Sequence, residues 1–178
     1  MRPQPTRVVV IGPEASGKTT LAAALSAEFG VLWTPEAARL FAERSKTPLS
    51  AATVDPIARL AMQYEDGLLA LTPPPALIVR DTDLLSTVVY ARHYYGDVAP
   101  WILAEAKARL GDLYLLCHPD LPWAPDGIRD RPTQRTEMLD AMRAVLEAHG
   151  APYVEISGTG PARTASAISA VAALRRAG

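Results

Sequence analysis

The chain has 178 residues, 49% hydrophobic and 21% charged, with a formal net charge of −1. That length suits one α/β domain with a real core and is short for two. A near-neutral chain carries no global field toward nucleic acid or an anionic membrane, and no apolar run approaches the roughly 20 residues of a membrane span.

The polar, proline-rich Met1–Thr6 is not read as a signal peptide. Val8–Ile11 is a β-branched apolar run and reads as a buried strand. It breaks at Gly12, and Gly12-Pro13-Glu14-Ala15-Ser16-Gly17-Lys18-Thr19 matches the phosphate-loop pattern G-x-x-x-x-G-K-[ST] at every fixed position. In that pattern the glycines let successive backbone N–H groups converge on an anion at a helix N-terminus. Lys18 adds a cation for the β- and γ-phosphates, and the Thr19 hydroxyl can ligate Mg²⁺. The binding set is therefore Gly12, Glu14, Ala15, Ser16, Gly17, Lys18, Thr19 and Thr20, with a nucleoside triphosphate as ligand. Thr20–Phe29, rich in Ala and Leu, reads as the helix behind the loop.

Gly30 ends that helix, and Val31–Thr34 is the second predicted strand. Pro35 suits a first helical position with Thr34 as N-cap, so a helix is expected over Glu36–Glu43. A polar loop, Ser45–Ser50, leads to a long helix over Ala52–Leu71, with Leu60, Tyr64 and Leu68 on one stripe; Pro73-Pro74-Pro75 end it. Ala76–Arg80 is strand three, followed by Asp81-Thr82-Asp83, and helices are expected over Leu84–His93 and Pro100–Leu110. Asp112–Cys117 is strand four, and its one cysteine, Cys117, allows no internal disulfide, which fits a reducing cytoplasm. A helix over Glu137–His149, strand five over Tyr153–Ile156 and a helix over Arg163–Arg176 complete the chain. Alternating strands and helices imply a five-stranded parallel sheet with right-handed crossovers in a single domain, residues 1–178. Ligands in such sheets bind at the carboxyl ends of the strands.

Asp81 stands where a carboxylate can hold Mg²⁺ or take a proton from an attacking hydroxyl. Asp83 can do the same or cap the next helix. Glu36 and Arg39, three apart past strand two, form either a surface ion pair or a face toward an acceptor, with Glu36 as base. The segment over about 119–136 carries Arg129, Arg131 and Arg135, whose planar forks suit phosphate oxygens, and reads as a lid. Tyr64, Tyr94, Tyr95 and Trp123 can stack on a flat ring or belong to the core, and Ser157–Gly160 can approach a purine or be a plain loop. His93, His118 and His149 lack the spacing of a zinc site.

Together these residues resemble the ribosylnicotinamide kinase domain of the bifunctional NadR proteins. The resemblance runs over nearly the whole chain. It rests on GPEASGKTTL, on Glu36 and Arg39, on Gln63-Tyr64, and on IVRDTDLLSTVVYARHYYG with Asp81, Thr82, Asp83, Thr87, Tyr94 and Gly96. Pro122, Trp123, Asp126, Gly127 and Arg129, with the PYVEI strand, complete it. It implies ATP- and Mg²⁺-dependent phosphorylation of the 5′-hydroxyl of nicotinamide riboside, giving nicotinamide mononucleotide. Lys18, Asp81, Glu36 and Arg129 would be catalytic, and Glu36, Arg39, Tyr64, Asp81, Asp83, Tyr94, Trp123 and Asp126 would bind the nucleoside. Members of that family usually carry an N-terminal nucleotidylyltransferase domain as well, and this chain, which opens at the kinase strand, is not expected to complete NAD synthesis itself. Pro35 stands where the family has an aromatic, with Trp33 two residues earlier. A kinase for another nucleoside or vitamin shares every motif, and a nucleotide-dependent switch shares the phosphate loop but not an N-K-x-D guanine motif. No oligomeric state is assigned, and the partner expected is a small-molecule nucleoside.

Overall fold

The computed structural model describes residues 5–124 and 132–177. Five parallel strands form one sheet in the order β2-β3-β1-β4-β5. They are β1 (Thr6–Ile11), β2 (Trp33–Thr34), β3 (Leu77–Asp81), β4 (Leu113–Cys117) and β5 (Tyr153–Ile156). The helices are α1 (Lys18–Phe29), α2 (Ala37–Ser45), α3 (Val54–Leu69), α4 (Leu84–Tyr95), α5 (Pro100–Ala108), α6 (Arg135–Ala148) and α7 (Gly160–Ala177). The expected five-stranded parallel architecture with flanking helices is the observed one.

Alternation along β1 divides the core between the two faces. Val8 and Val10 pack with Leu21, Leu25, Ala167 and Val171 of α1 and α7. Val9 and Ile11 pack with α4, α5 and α6 through Leu85, Val88, Ile102, Met138 and Met142. Strands buried on both faces read as continuous apolar runs, which is why β1, β3 and β4 are plain in the sequence.

Several boundaries differ from expectation, each for a local reason. The first helix starts at Lys18 rather than Thr20, because Gly17 sits at φ 74° and turns the chain directly into it. The second strand shrinks to Trp33–Thr34, since the Val31 N–H still bonds to Ser26 O of α1. Thr34 pairs with Arg80 in the sheet, so it cannot cap a helix; Glu36, extended at φ −62°, ψ 111°, is the N-cap. The long helix divides into a 3-10 turn at Ala51–Thr53 and α3 proper. Its buried stripe is Ile57, Ala58 and Glu65, whereas Leu60, Tyr64 and Leu68 are half-buried at the margin. The last helix begins at Gly160, ahead of the expected Arg163.

Glu65 occupies that stripe because three arginines meet it. Its Oε1 accepts from Arg7 Nε at 3.0 Å, and its Oε2 accepts from Arg80 Nη1 at 3.1 Å and lies 3.5 Å from Arg109 Nη1. Removing one member of a buried ionic network strands the others. Glu65→Leu is therefore expected to cost about 3–5 kcal/mol, measured by urea denaturation. Adding Arg80→Met to it should recover part of the loss.

Candidate active site

The site grows from the β1–β3 register. Val10 pairs with Asp81, and the Thr82 N–H bonds to Val10 O at 3.0 Å, so the end of β3 lies beside the loop that leaves β1. A Cβ on Gly12 would lie 2.7 Å from Cys117 O and 2.9 Å from Cys117 Cβ, so only glycine lets the loop pass β4 this closely. Burial pushes the Cys117 thiol up to about 11, which makes it a packing residue rather than a nucleophile.

Four carbonyl contacts shape the loop. Pro13 O accepts from Ser16 Oγ and from Lys18 Nζ, each at 2.8 Å. Gly12 O accepts from the Tyr90 hydroxyl at 3.0 Å, and Ser16 O from Arg163 Nη2 at 2.7 Å. In a trans peptide the C=O and N–H point opposite ways, so a carbonyl held from outside turns the next N–H inward. Tethering Ser16 O thus presents the Gly17 N–H to the hollow of the loop. Glu14, expected at the phosphate, is buried and accepts the Tyr94 hydroxyl at 2.5 Å, while Thr20 is exposed on α1.

Thr19 Oγ1 donates to Asp81 Oδ2 at 2.5 Å, joining the loop's last residue to the acid of the neighbouring strand. Asp81 is 1% exposed, and its Oδ1 has no partner among the described residues. Its carboxyl is raised from 3.8 to about 6, first by burial and next by the nearby Glu36 carboxylate. Thr82 sits at φ 66°, a left-handed conformation that a β-branched residue rarely adopts. That turn sends Asp81 toward α1 and Asp83 into the head of α4. Asp83 there caps the helix: Oδ1 accepts the Ser86 N–H at 3.0 Å and Oδ2 accepts the Tyr114 hydroxyl at 2.7 Å. Asp83 thus takes its capping alternative at α4, and it also lines the cavity beside Asp81.

A cavity of about 310 Å³ opens beside Asp81, lined among others by Pro35, Glu36, Ile57, Thr87, Tyr94 and Tyr95. Glu36 is buried and carries Arg39 at 3.9 Å on its outer side. Two expected ligands are elsewhere. Tyr64 accepts from Arg44 Nη2 at 2.7 Å on the outer side of α3 and does not line the cavity. Trp33, two residues before Pro35, packs with the α1–α7 core and does not line the cavity. Trp123 is half-buried after β4 and is not in the lining either. Arg135 donates to Leu121 O at 3.1 Å. Asp126, Arg129 and Arg131, with most of the expected lid, lie outside the described residues.

Sequence reading missed Arg163. It is 6% exposed and also donates to Gly158 O at 3.0 Å and His118 O at 3.2 Å. One guanidinium therefore ties the phosphate loop to the segments after β4 and β5. Nothing in a helix-start arginine 147 residues from its partner signals that role.

A strand, a curled phosphate loop and a helix, with an acid on the adjacent strand, define a P-loop protein of the kinase fold. The chain belongs to the AAA domain family, whose profile matches residues 7–163. It is 28% identical over 155 residues to the trifunctional NAD biosynthesis/regulator protein NadR of Escherichia coli (strain K12), covering 84% of this chain and 37% of that protein. The Salmonella typhimurium protein of the same name is 30% identical over 126 residues, covering 68% of this chain and 30% of that protein. The chain thus spans 37% or less of the length of these curated relatives. Among solved structures, NadR protein in complex with NR matches at TM-score 0.78 and 21% identity, over 96% of this chain and 51% of that one. NadR protein in complex with NAD and AMP-PNP matches at TM-score 0.77 and 19% identity, over 96% and 49%. Thymidylate kinase from Ehrlichia chaffeensis matches at TM-score 0.61 and 14% identity, over 95% and 100%. Among the described residues, no helix is long and apolar enough to cross a membrane.

Two predictions follow from the geometry. Because Asp81 binds its proton more tightly folded than unfolded, raising pH from about 4 to about 6 removes the proton from the unfolded chain first and lowers stability. A shift from 3.8 to about 6 corresponds to about 3 kcal/mol above pH 6. Asp81→Asn should therefore be more stable than the parent at pH 8, with the difference vanishing near pH 4, as measured by urea denaturation at both. Separately, Arg163→Met frees the Ser16 carbonyl and should weaken triphosphate binding about tenfold, read by calorimetry, with the melting temperature as control.

Proposed function

We propose that the chain is an ATP-dependent kinase that transfers the γ-phosphoryl group to the 5′-hydroxyl of nicotinamide riboside, yielding nicotinamide mononucleotide and ADP. The observation that carries this reading is the Thr19–Asp81 contact, where the phosphate loop and the acceptor cavity meet at one buried carboxylate. Similarity to NadR over 84% of the chain, and the NR and AMP-PNP complexes of NadR structures with this fold, support it.

The loop N–H groups and Lys18 would bind the polyphosphate. Thr19 and Asp81 fit a Mg²⁺ ion: a hydroxyl and a carboxylate with one open buried oxygen suit a cation that otherwise coordinates phosphate and water. When bound, that ion neutralises charge on the β- and γ-phosphates. Glu36 and Asp81 flank the place of the acceptor hydroxyl. Asp81 or Glu36 would orient the hydroxyl or take its proton. The 5′-oxygen then bonds to the γ-phosphorus as the bond to the β,γ-bridging oxygen breaks, and ADP leaves. Arg129, Arg131 or Arg135 would neutralise charge on the moving group. Positioning and electrostatics do most of the work in this chemistry.

Lys18→Ala should lower kcat about 10²–10³-fold with the fold intact, measured as acceptor-dependent ADP release. Within a nucleoside panel, nicotinamide riboside should have the highest kcat/KM. Near-normal turnover without Lys18 would sink the mechanism, and a better nucleoside would replace the acceptor.

A further inference from the structure

The acceptor cavity and the phosphate loop share two residues. Tyr90 and Tyr94 both line the cavity, and both hydroxyls bond to the loop: Tyr90 donates to Gly12 O at 3.0 Å, Tyr94 to Glu14 Oε1 at 2.5 Å. A spacing of four stacks them on one face of α4, with ring centroids 6.3 Å apart. The two contacts differ in kind. Tyr90 is 8% exposed and holds a backbone carbonyl, so it is a fixed post. Tyr94 is half-buried, and its described ring neighbours, Tyr90, His93 and Tyr95, all belong to its own helix. Its partner Glu14 is 5% exposed and precedes Ala15, which is held at φ 52°. The phosphate-loop pattern leaves the position of Glu14 open, so phosphate binding itself does not ask for an acid there. A carboxylate in that loop repels a polyphosphate unless a donor draws it aside, and the Tyr94 hydroxyl is such a donor.

We propose that Tyr94 is a positioning residue that couples the two sites: an acceptor in the cavity keeps the Tyr94 hydroxyl on Glu14, and the two substrates therefore bind with positive cooperativity. This inference rests on the kinase reading above and deepens it. Coupling needs two states that a ligand distinguishes. In one, Tyr94 reaches Glu14, as here. In the other, it turns into the cavity of about 310 Å³ and releases the carboxylate toward the phosphates. An acceptor fills the space that the second state needs, so it selects the first. By linkage, a bound triphosphate favours the acceptor by the same factor.

The test is calorimetry with AMP-PNP, whose imido bridge blocks transfer, with and without saturating nicotinamide riboside. The unaltered chain should bind AMP-PNP roughly tenfold tighter when the riboside is present, and the riboside tighter by that factor when AMP-PNP is present. Tyr94→Phe keeps the ring and drops the bond, and the factor should fall to near one, whatever the variant does to either affinity alone. Glu14→Gln removes the charge that has to be held and should lower the factor likewise, with no further fall on adding Tyr94→Phe. Tyr95→Phe alters a cavity tyrosine that has no described bond to the loop, and should leave the factor near ten. A factor that survives Tyr94→Phe overturns the proposal; if that variant fails to fold, a factor that survives Glu14→Gln overturns it. So does an AMP-PNP affinity that no nucleoside of the panel shifts on the unaltered chain. If nicotinamide riboside has no effect but another nucleoside does, the nicotinamide reading falls and the same variants judge the coupling with that nucleoside. No binding of AMP-PNP at all sinks the kinase reading and this inference with it.

Discussion

The register between two adjacent strands sets the position of everything that matters here. Pairing Val10 with Asp81 puts a carboxylate at the height where the chain leaves β1 and curls into the phosphate loop. The Thr19 hydroxyl then reaches Asp81 Oδ2 at 2.5 Å. A slip of one residue in β3 would aim that side chain at the opposite face of the sheet. The apolar residues of β1 and β3 hold the register because each face has its own core to fill: Val8, Val10, Leu77 and Val79 on one side, Val9 and Ile11 on the other. The two hydrophobic layers thereby fix a polar contact that neither takes part in.

Burial makes that contact chemically useful at a cost in stability. Asp81 is buried beside Glu36, and burial first and the Glu36 carboxylate next disfavour its ionisation. Thr82 adds backbone strain at the same turn. Strain and like charge persist because the surroundings over-determine the local geometry. The Thr82 N–H is bonded into β1, and Asp83 is locked by Ser86 and Tyr114.

The strands, the phosphate loop and Asp81 were legible because their signals are local: apolar runs, a motif of fixed spacing, an acid at a strand end. Asp83 carried two local readings; its cap bond to the Ser86 N–H is as local as the motif, whereas its contact with Tyr114 of β4, a residue 31 positions away, was not legible. Glu65 was invisible for the opposite reason. A charged residue on a helix reads as solvent-facing, and the three arginines that bury it come from β1, β3 and the end of α5. The expected stripe of Leu60, Tyr64 and Leu68 was sound as periodicity but named the wrong edge of α3, since a 3.6-residue period does not say which side the sheet lies on. Arg163 and Arg80 belong with Glu65: their roles exist only once distant segments meet.

The two halves of the site are built differently. The donor side rests on the central strand and on peptide carbonyls held by Tyr90, Lys18 and Arg163, so its shape depends little on which side chains fill the loop. The acceptor side rests on a two-residue edge strand and on helices α2, α3 and α4, where side chains form the wall. Side chains of that wall, Pro35 among them, can change without touching the register that carries Asp81. Acceptor choice can thus be altered in this fold while the phosphate machinery stays as it is. For that reason the phosphate loop identifies the fold of this chain far more readily than the occupant of its cavity.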